Sequence, residues 1–278
     1  MESLTILLLI ERNMRRDYNL PNVRQLCAEY EAFVPDSAKK ENLGFISPVQ
    51  SVLAFPDGSF ELQEAINRAN ELNIAVRFFH KTLYTRKELE VVPFFEVRCS
   101  APMEYEGTKP VDYGTIYTHG CPICGRGNLP QEDILVDRKF FKKGHFLSLA
   151  PDYAVSETVR ALIEQNAFTG VQFIHKICDY KGREMRPLWA LTVNHMLPPL
   201  GDNVMREYGR QFKCGHQILY IRSELQYPKE IINSLSDFNF TQEYIGNFQE
   251  QQLVISARVR KVFLENKIRM RYEPVSFV

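Results

Sequence analysis

VSETVRALIEQNAFTGVQFI, residues 155–174, returns one hundred residues later as ISARVRKVFLENKIRMRYEP, residues 255–274. Without a gap, Ser156 meets Ser256, Val159 meets Val259, Arg160 meets Arg260 and Asn166 meets Asn266. Each copy reads as a helix that runs through a polar turn into a short strand. Ser156 and Ser256 stand where an N-cap belongs, since a serine oxygen accepts a hydrogen bond from a free N–H of the first turn. Val159, Leu162 and Ile163 then make an apolar stripe, matched by Val259, Val262 and Phe263, with the spacing of one helical face. Gly170 suits the exit from the first turn. The plain role of both segments is packing, as two core helices with their strands.

Working outward, the first hundred residues read as an α/β region. Leu4–Ile10 (LTILLLI) is a strand, and Pro21 opens a helix with Val23, Leu26, Cys27 and Tyr30 on one face. Val49–Phe55 is a second strand. Pro56-Asp57-Gly58-Ser59 is a turn, with proline presetting one dihedral and glycine accepting positive φ. A helix with Leu62, Ala65, Ile66, Ala69 and Leu72 on its buried stripe follows, then strands at Ile74–Phe79 and Val91–Val97. AVRFFHK at 75–81 resembles GVQFIHK at 170–176, a weaker third echo of the repeat. Residues 100–120, rich in Pro, Gly, Tyr and Thr, form the internal boundary, giving regions 1–100 and 101–278. The loop Leu197–Asn203 ends a strand around Leu188–Val193. The fold class is α+β: an N-terminal α/β region followed by a duplicated helix–strand region.

The balance of 34 basic and 34 acidic residues in 278 argues against a general nucleic-acid binder, which carries a basic excess. The apolar run at the N-terminus is short and followed, not preceded, by arginines, so it is read as a buried strand and not a signal peptide. No stretch approaches the ~20 apolar residues of a membrane helix. These features place the chain in the cytoplasm, with its six cysteines reduced.

Two of those cysteines form a knuckle, Cys121-Pro122-Ile123-Cys124-Gly125. Two intervening residues let both sulfurs reach one tetrahedral ion, and the glycine relieves the tight turn that aims N–H groups at them. A redox pair is the rival reading, but this motif does not open a helix, where low-pKa redox cysteines usually sit. A structural zinc needs four ligands, and Cys214 and His216 (KCGH, 213–216) are the best remaining pair. Their spacing is tighter than usual, so geometry decides whether one or both bind. His119 and Cys99 are the reserves. Cys27 and Cys178 are read as core.

The knuckle, the second Cys-Gly-His and the repeat together resemble the double-CXXCG motif family of bacterial proteins. The matching stretches are VSETVRALIEQNAFTGVQFIHKI, VISARVRKVFLENKIRMRYEPV and the lead-in DFNFTQEYIGNFQEQQ at 237–252, so the likeness covers roughly residues 115–278. The family pairs two complete knuckles, whereas here Gln211 stands three positions before Cys214, where a cysteine would be. Either His216 completes the site or the metal is lost. Part of the family is associated with immunity proteins of bacterial toxin systems. The resemblance therefore implies a non-catalytic protein that binds and neutralises a cognate protein toxin.

Enzyme signatures are missing from the sequence: no G-x-x-x-x-G-K-[ST], H-E-x-x-H or G-x-S-x-G. His195, at a strand end, and His145 lack an advertised nucleophile. The alternative function is a zinc-knuckle nucleic-acid-binding module. It rests on Arg138-Lys139-Phe140-Phe141-Lys142-Lys143, with a second basic group at Lys181, Arg183 and Arg186. A solvated strand or turn with one phenylalanine buried is the plainer reading of the first run. For a toxin interface, Tyr105, Tyr113 and Tyr117 are the candidate loop anchors.

Overall fold

A computed structural model describes residues 2–11, 25–26, 29, 45–47, 50–72, 74–99, 105–106, 109–110, 117–118, 120–124, 126–127, 129–130, 134–136, 145–149, 152–179, 181, 183–246, 249–268 and 270–278. They form a mixed α+β chain that divides into two compact units. One unit holds residues 1–90 together with Arg222–Glu224, and the other holds Val91–Ile221 and Leu225–Val278. No described helix is long and apolar enough to cross a membrane.

The first unit contains β1 (Glu2–Glu11), β2 (Phe45–Ser47), β3 (Gln50–Pro56), α1 (Phe60–Glu71), β4 (Ile74–Leu83) and most of α2 (Arg86–Val91). Its sheet order is β2-β3-β1-β4, and every neighbouring pair is antiparallel. The expected α/β character is thus corrected to an antiparallel sheet with a crossover helix. β3 and β4 run the same way, as a helix-linked pair does, but β1 inserts between them. The turn at Pro56–Ser59 forms as its residues dictate: Gly58 takes φ +70, and Ser59 Oγ caps α1 by accepting from Leu62 N. Ala65 and Ala69 are fully buried against Leu26, Leu53, Phe55 and Ile74, with Leu62, Ile66 and Leu72 packed at the margin. Of the expected helix near Pro21, Gln25, Leu26 and Glu29 are described and helical, while Val23, Cys27 and Tyr30 lie outside the described residues.

The second unit begins with β5 (Phe94–Arg98), which the sequence placed in the N-terminal region at Val91–Val97. Val91 instead ends α2, and β5 lies inside a sheet made otherwise from the chain's last forty residues. Four consecutive buried residues, Phe94 to Val97, fit a strand flanked on both sides. Two small hairpins follow, β6 (Tyr105–Glu106) with β7 (Lys109–Pro110) and β8 (Tyr117–Thr118) with β9 (Leu129–Pro130). Then come β10 (Ile134–Val136), β11 (Phe146–Leu149), β12 (Asp152–Ser156), α3 (Glu157–Gln165), β13 (Val171–Asp179) and β14 (Glu184–Val193), in a sheet ordered β10-β13-β14-β12-β11. The hairpin β15 (Arg206–Gln211) and β16 (Gln217–Ile221) precedes β17 (Gln226–Tyr227) and a 3-10 turn at Lys229–Ser234. The chain closes with β18 (Phe238–Ile245), β19 (Glu250–Ser256), α4 (Ala257–Glu265), β20 (Arg271–Pro274) and β21 (Ser276–Phe277). The last main sheet is ordered β18-β19-β5-β20.

One frame recurs in all three main sheets. A strand runs into a serine-capped helix and returns as a second strand, and one strand antiparallel to both lies between them. The sets are β3-α1-β4 around β1, β12-α3-β13 around β14, and β19-α4-β20 around β5. Each incoming strand also has an antiparallel partner on its outer side: β2, β11 and β18.

Within the second unit the correspondence extends to single residues. Ser156 Oγ accepts from Val159 N, and Ser256 Oγ accepts from Val259 N. Asn166 and Asn266 end the helices with their side chains on Leu162 O and Val262 O, and Ala167 and Lys267 follow at φ 49 and 59. The hundred-residue offset holds through the turn and slips by one in the strand, where Phe173 faces Leu191 but Tyr272 faces Val97. Arg160 lies over Trp189 and Phe173, and Arg260 lies over Phe95 and Tyr272, equivalent rings in the two sheets. Such stacking contributes ~0.5–2 kcal/mol per site. Phe263, fully buried, meets Phe146 and Phe238 and joins the two sheets' cores.

Candidate metal centre

Two turns remote in sequence bring four donors together. Sγ of Cys121, Cys124 and Cys214 and a ring nitrogen of His216 all lie within 4.8 Å of one another. Each turn is shaped by its backbone. In the first, Cys121 N donates to Arg126 O at 2.9 Å, which closes the knuckle. The Arg126 guanidinium sits 4.8 Å from the ring centre of Tyr244 in β18. Gly127 at φ +75 follows, and a Cβ there would touch Tyr244 Oη at 3.4 Å. Gly125 lies outside the described residues.

The second turn is the tip of the β15–β16 hairpin. Phe212 N donates to His216 O at 2.7 Å and Gly215 N to Phe212 O at 2.9 Å. Gly215 takes φ +86 with nothing near its absent Cβ, so it is the left-handed backbone, not crowding, that calls for glycine there. Nδ1 of His216 lies 3.7 Å from Cys214 Sγ and 3.2 Å from Cys124 Sγ. Both residues of the tight Cys-Gly-His therefore point into the cluster. Gln211, standing where a second knuckle would have its first cysteine, spends its amide on Gly215 O at 3.1 Å. His216 takes the corner that Gln211 cannot.

The donor set fits a soft or borderline tetrahedral ion. A tetrahedron with metal–sulfur bonds of ~2.3 Å and metal–nitrogen bonds of ~2.0 Å has edges of ~3.5–3.8 Å. The Cys214–His216 separation of 3.7 Å is such an edge. Four protein donors leave no vertex for water or substrate, the mark of a structural rather than a catalytic site. Backbone N–H groups of Ile123 and Cys124 pull the Cys121 thiol down to about 6. Burial pushes Cys124 up to about 11.

The other sequence candidates fall elsewhere. Cys99 stands outside the cluster, its thiol pushed up to about 12 by burial and then by Glu250. His119, Tyr113 and the Arg138–Lys143 run lie outside the described residues, and of Tyr105 and Tyr117 only the strand backbone is described. Arg183 is committed to the buried carboxylate of Asp179 at 2.7 Å, which removes one cation from the second basic group. His145 Nδ1 meets the cap oxygen of Ser156 at 3.0 Å. In the equivalent place Ser256 Oγ donates to Asp237 Oδ1 at 2.7 Å. Both contacts belong to helix caps. His195 Nδ1 is buried without a hydrogen-bond partner among the described residues. Sequence reading missed Arg126 and Tyr244, which seat the knuckle; only their aromatic and cationic character hinted at it.

A scan against protein-family models matches none of them, and a search of the curated proteins finds no match.

Proposed function

We propose that this chain is a non-catalytic, cytoplasmic binding protein whose two turns share a structural zinc ion. Following its resemblance to the double-CXXCG family, we take its partner to be a cognate protein toxin that it neutralises. The observation that carries the zinc reading is the closed Cys3His donor set, built from turns whose donors Cys124 and His216 stand 92 residues apart. Three thiolates and an imidazole suit zinc, and hard cations such as calcium or magnesium prefer oxygen. Cys121, Cys124, Cys214 and His216 would hold the ion, which would crosslink the knuckle to the hairpin. The matched caps, turns and arginine–ring stacks of the second unit support the reading of residues 155–174 and 255–274 as duplicated copies.

Two measurements test this. Elemental analysis of protein purified without added metal is expected to give one zinc per chain, released when the thiols are titrated; zinc-free folded protein would end the metal reading. Affinity capture from the protein's own cells is expected to yield one stoichiometric protein, encoded beside it, toxic when expressed alone and harmless when co-expressed. Recovery of nucleic acid without such a protein would replace the toxin reading with the nucleic-acid-binding one.

A further inference from the structure

Among the described residues, β15 has one side without a partner strand. Its sheet consists of β15 and β16 alone among the described residues. β16 is tied toward β18, with Gly246 N donating to Leu219 O at 2.8 Å, and the far side of β15 pairs with no described strand. An unpaired edge presents backbone N–H and C=O groups in a row for another extended chain. Proteins commonly blunt such edges with charge, and a blunted edge has no need of an exposed ring. Here Tyr208 is 60% exposed on the strand, and Ile123, between the knuckle cysteines that face the hairpin tip, is 54% exposed.

Two cations on this strip face no carboxylate among the described residues. Arg210 and Lys213 are exposed, and neither makes an ion pair among the described residues. Among the described residues Arg210 rests against the Phe212 ring, 5.1 Å from its centre. Elsewhere in the same unit Arg160, Arg183, Arg258 and Arg271 each face a carboxylate, while Arg126, Arg206 and Arg260 are held by rings or backbone carbonyls inside the fold. In a chain of net charge zero, two exposed cations three residues apart, with no carboxylate partner among the described residues and beside an open strand edge, suit an acidic surface. Nucleic acid fits less well. Two cations with Glu207 on the same strand neutralise few phosphates, and a phosphate backbone makes no use of a row of peptide groups.

We propose that β15 is a docking edge, on which a partner protein lays an extended acidic segment as a third strand, its carboxylates against Arg210 and Lys213 and an apolar side chain against Tyr208. This rests on the partner-binding reading above and adds the surface and the chemistry of the partner's segment. Backbone pairing would supply affinity and the side chains specificity, as in other strand-addition complexes.

The test uses the full chain in its own cells, with a photo-crosslinking amino acid at Tyr208 and, as control, at Leu264 on α4. Unchanged metal content and melting temperature show that both variants fold. The expected result is a crosslink from position 208 to one stretch of a partner protein that carries two or more carboxylates, and none from 264. The charge-reversal pair Arg210→Glu and Lys213→Glu should slow association with that partner about tenfold at low salt and less at high salt. Exchanging the partner's carboxylates for lysines should restore the rate. A partner that the intact chain captures but that crosslinks only from elsewhere overturns the docking edge alone. Crosslinks from 208 to nucleic acid overturn it in favour of a nucleic-acid interface. Capture of no protein at all overturns the partner-binding reading and this inference with it.

Discussion

Removing the zinc should loosen the Val91–Val278 unit by an amount that the spacing of the ligands fixes. Cys124 and His216 are 92 residues apart, so an ion held by both would close a loop of that length. The chain-entropy relation for a covalent crosslink of this span gives ~15.6 cal/mol/K, or ~4.6 kcal/mol at 25 °C. A metal clip closes the same loop, and its binding free energy is drawn on for folding in the same way. For a unit of this size each kcal/mol moves the midpoint by ~2–4 °C, so the expected drop is ~9–18 °C. The assay is convenient because the chain has one tryptophan, Trp189, and it lies in β14 of that unit. Its fluorescence during heating or urea unfolding reports this unit rather than residues 1–90. Holo protein, chelator-stripped protein and Cys214→Ser should be compared, and the last two should agree. An apo midpoint within ~2 °C of the holo value would refute the reasoning, because the two turns would then be held by packing without a crosslink.

Three further outcomes follow from the second unit. Ser156→Ala should cost ~1 kcal/mol and Ser256→Ala more, up to ~2 kcal/mol, because the second contact of Ser256 is to a carboxylate, Asp237, at 2.7 Å, and that of Ser156 is to the His145 ring at 3.0 Å; equal losses in urea titrations would discount that difference. Lys267→Gly should stabilise by ~0.5–1 kcal/mol, since Lys267 holds φ 59 where a Cβ is strained; a loss would mean the lysine side chain matters more than its backbone. Asp179 is held below the ordinary carboxylate range, first by the hydrogen bond from Arg183 and then by the backbone N–H groups of Arg183 and Lys181. Its folded pKa lies below its unfolded value, so its stabilisation is present above the unfolded pKa of ~3.9 and is lost as pH falls through the folded one. Asp179→Asn should flatten the acid limb of a stability profile, and an unchanged limb would assign that dependence to other groups.

The features legible in the sequence were those set by local chemistry. Serine caps, the Leu62–Leu72 stripe, the Pro56–Ser59 turn and the repeated helix all form where their residues place them, because each depends on neighbours within four positions. The partner of β5 was not legible. Phe94–Arg98 reads as a buried strand in any sheet, and nothing local says that its neighbours are β19 and β20, some 150 residues later. The same is true of β1, whose apolar run gives no sign that it slots between β3 and β4. Among the candidate metal ligands, cysteine spacing picked out Cys121 and Cys124, and Cys214 and His216 came together only as the best remaining pair. The part of His216 depended on Gly215 at φ +86 and on Gln211 binding its carbonyl, and a left-handed turn is only suggested by a glycine in the sequence.

The metal cluster and the open strand edge account for each other. A two-stranded hairpin alone is marginal in water. Covering β15 with a third strand of its own would stabilise the β15–β16 ribbon, but it would also consume the edge. Crosslinking the tip through Cys214 and His216 to the knuckle would stabilise the ribbon from its end and leave the long side of β15 clear of any described strand. The knuckle is in turn anchored through Arg126 to Tyr244 on β18, so a metal clip would tie the ribbon to the sheet that contains β5, β19 and β20. On this argument the zinc contributes to binding by holding an otherwise unstable strand extended and uncovered. Metal loss should therefore weaken the partner by disordering β15, even though no ligand touches it.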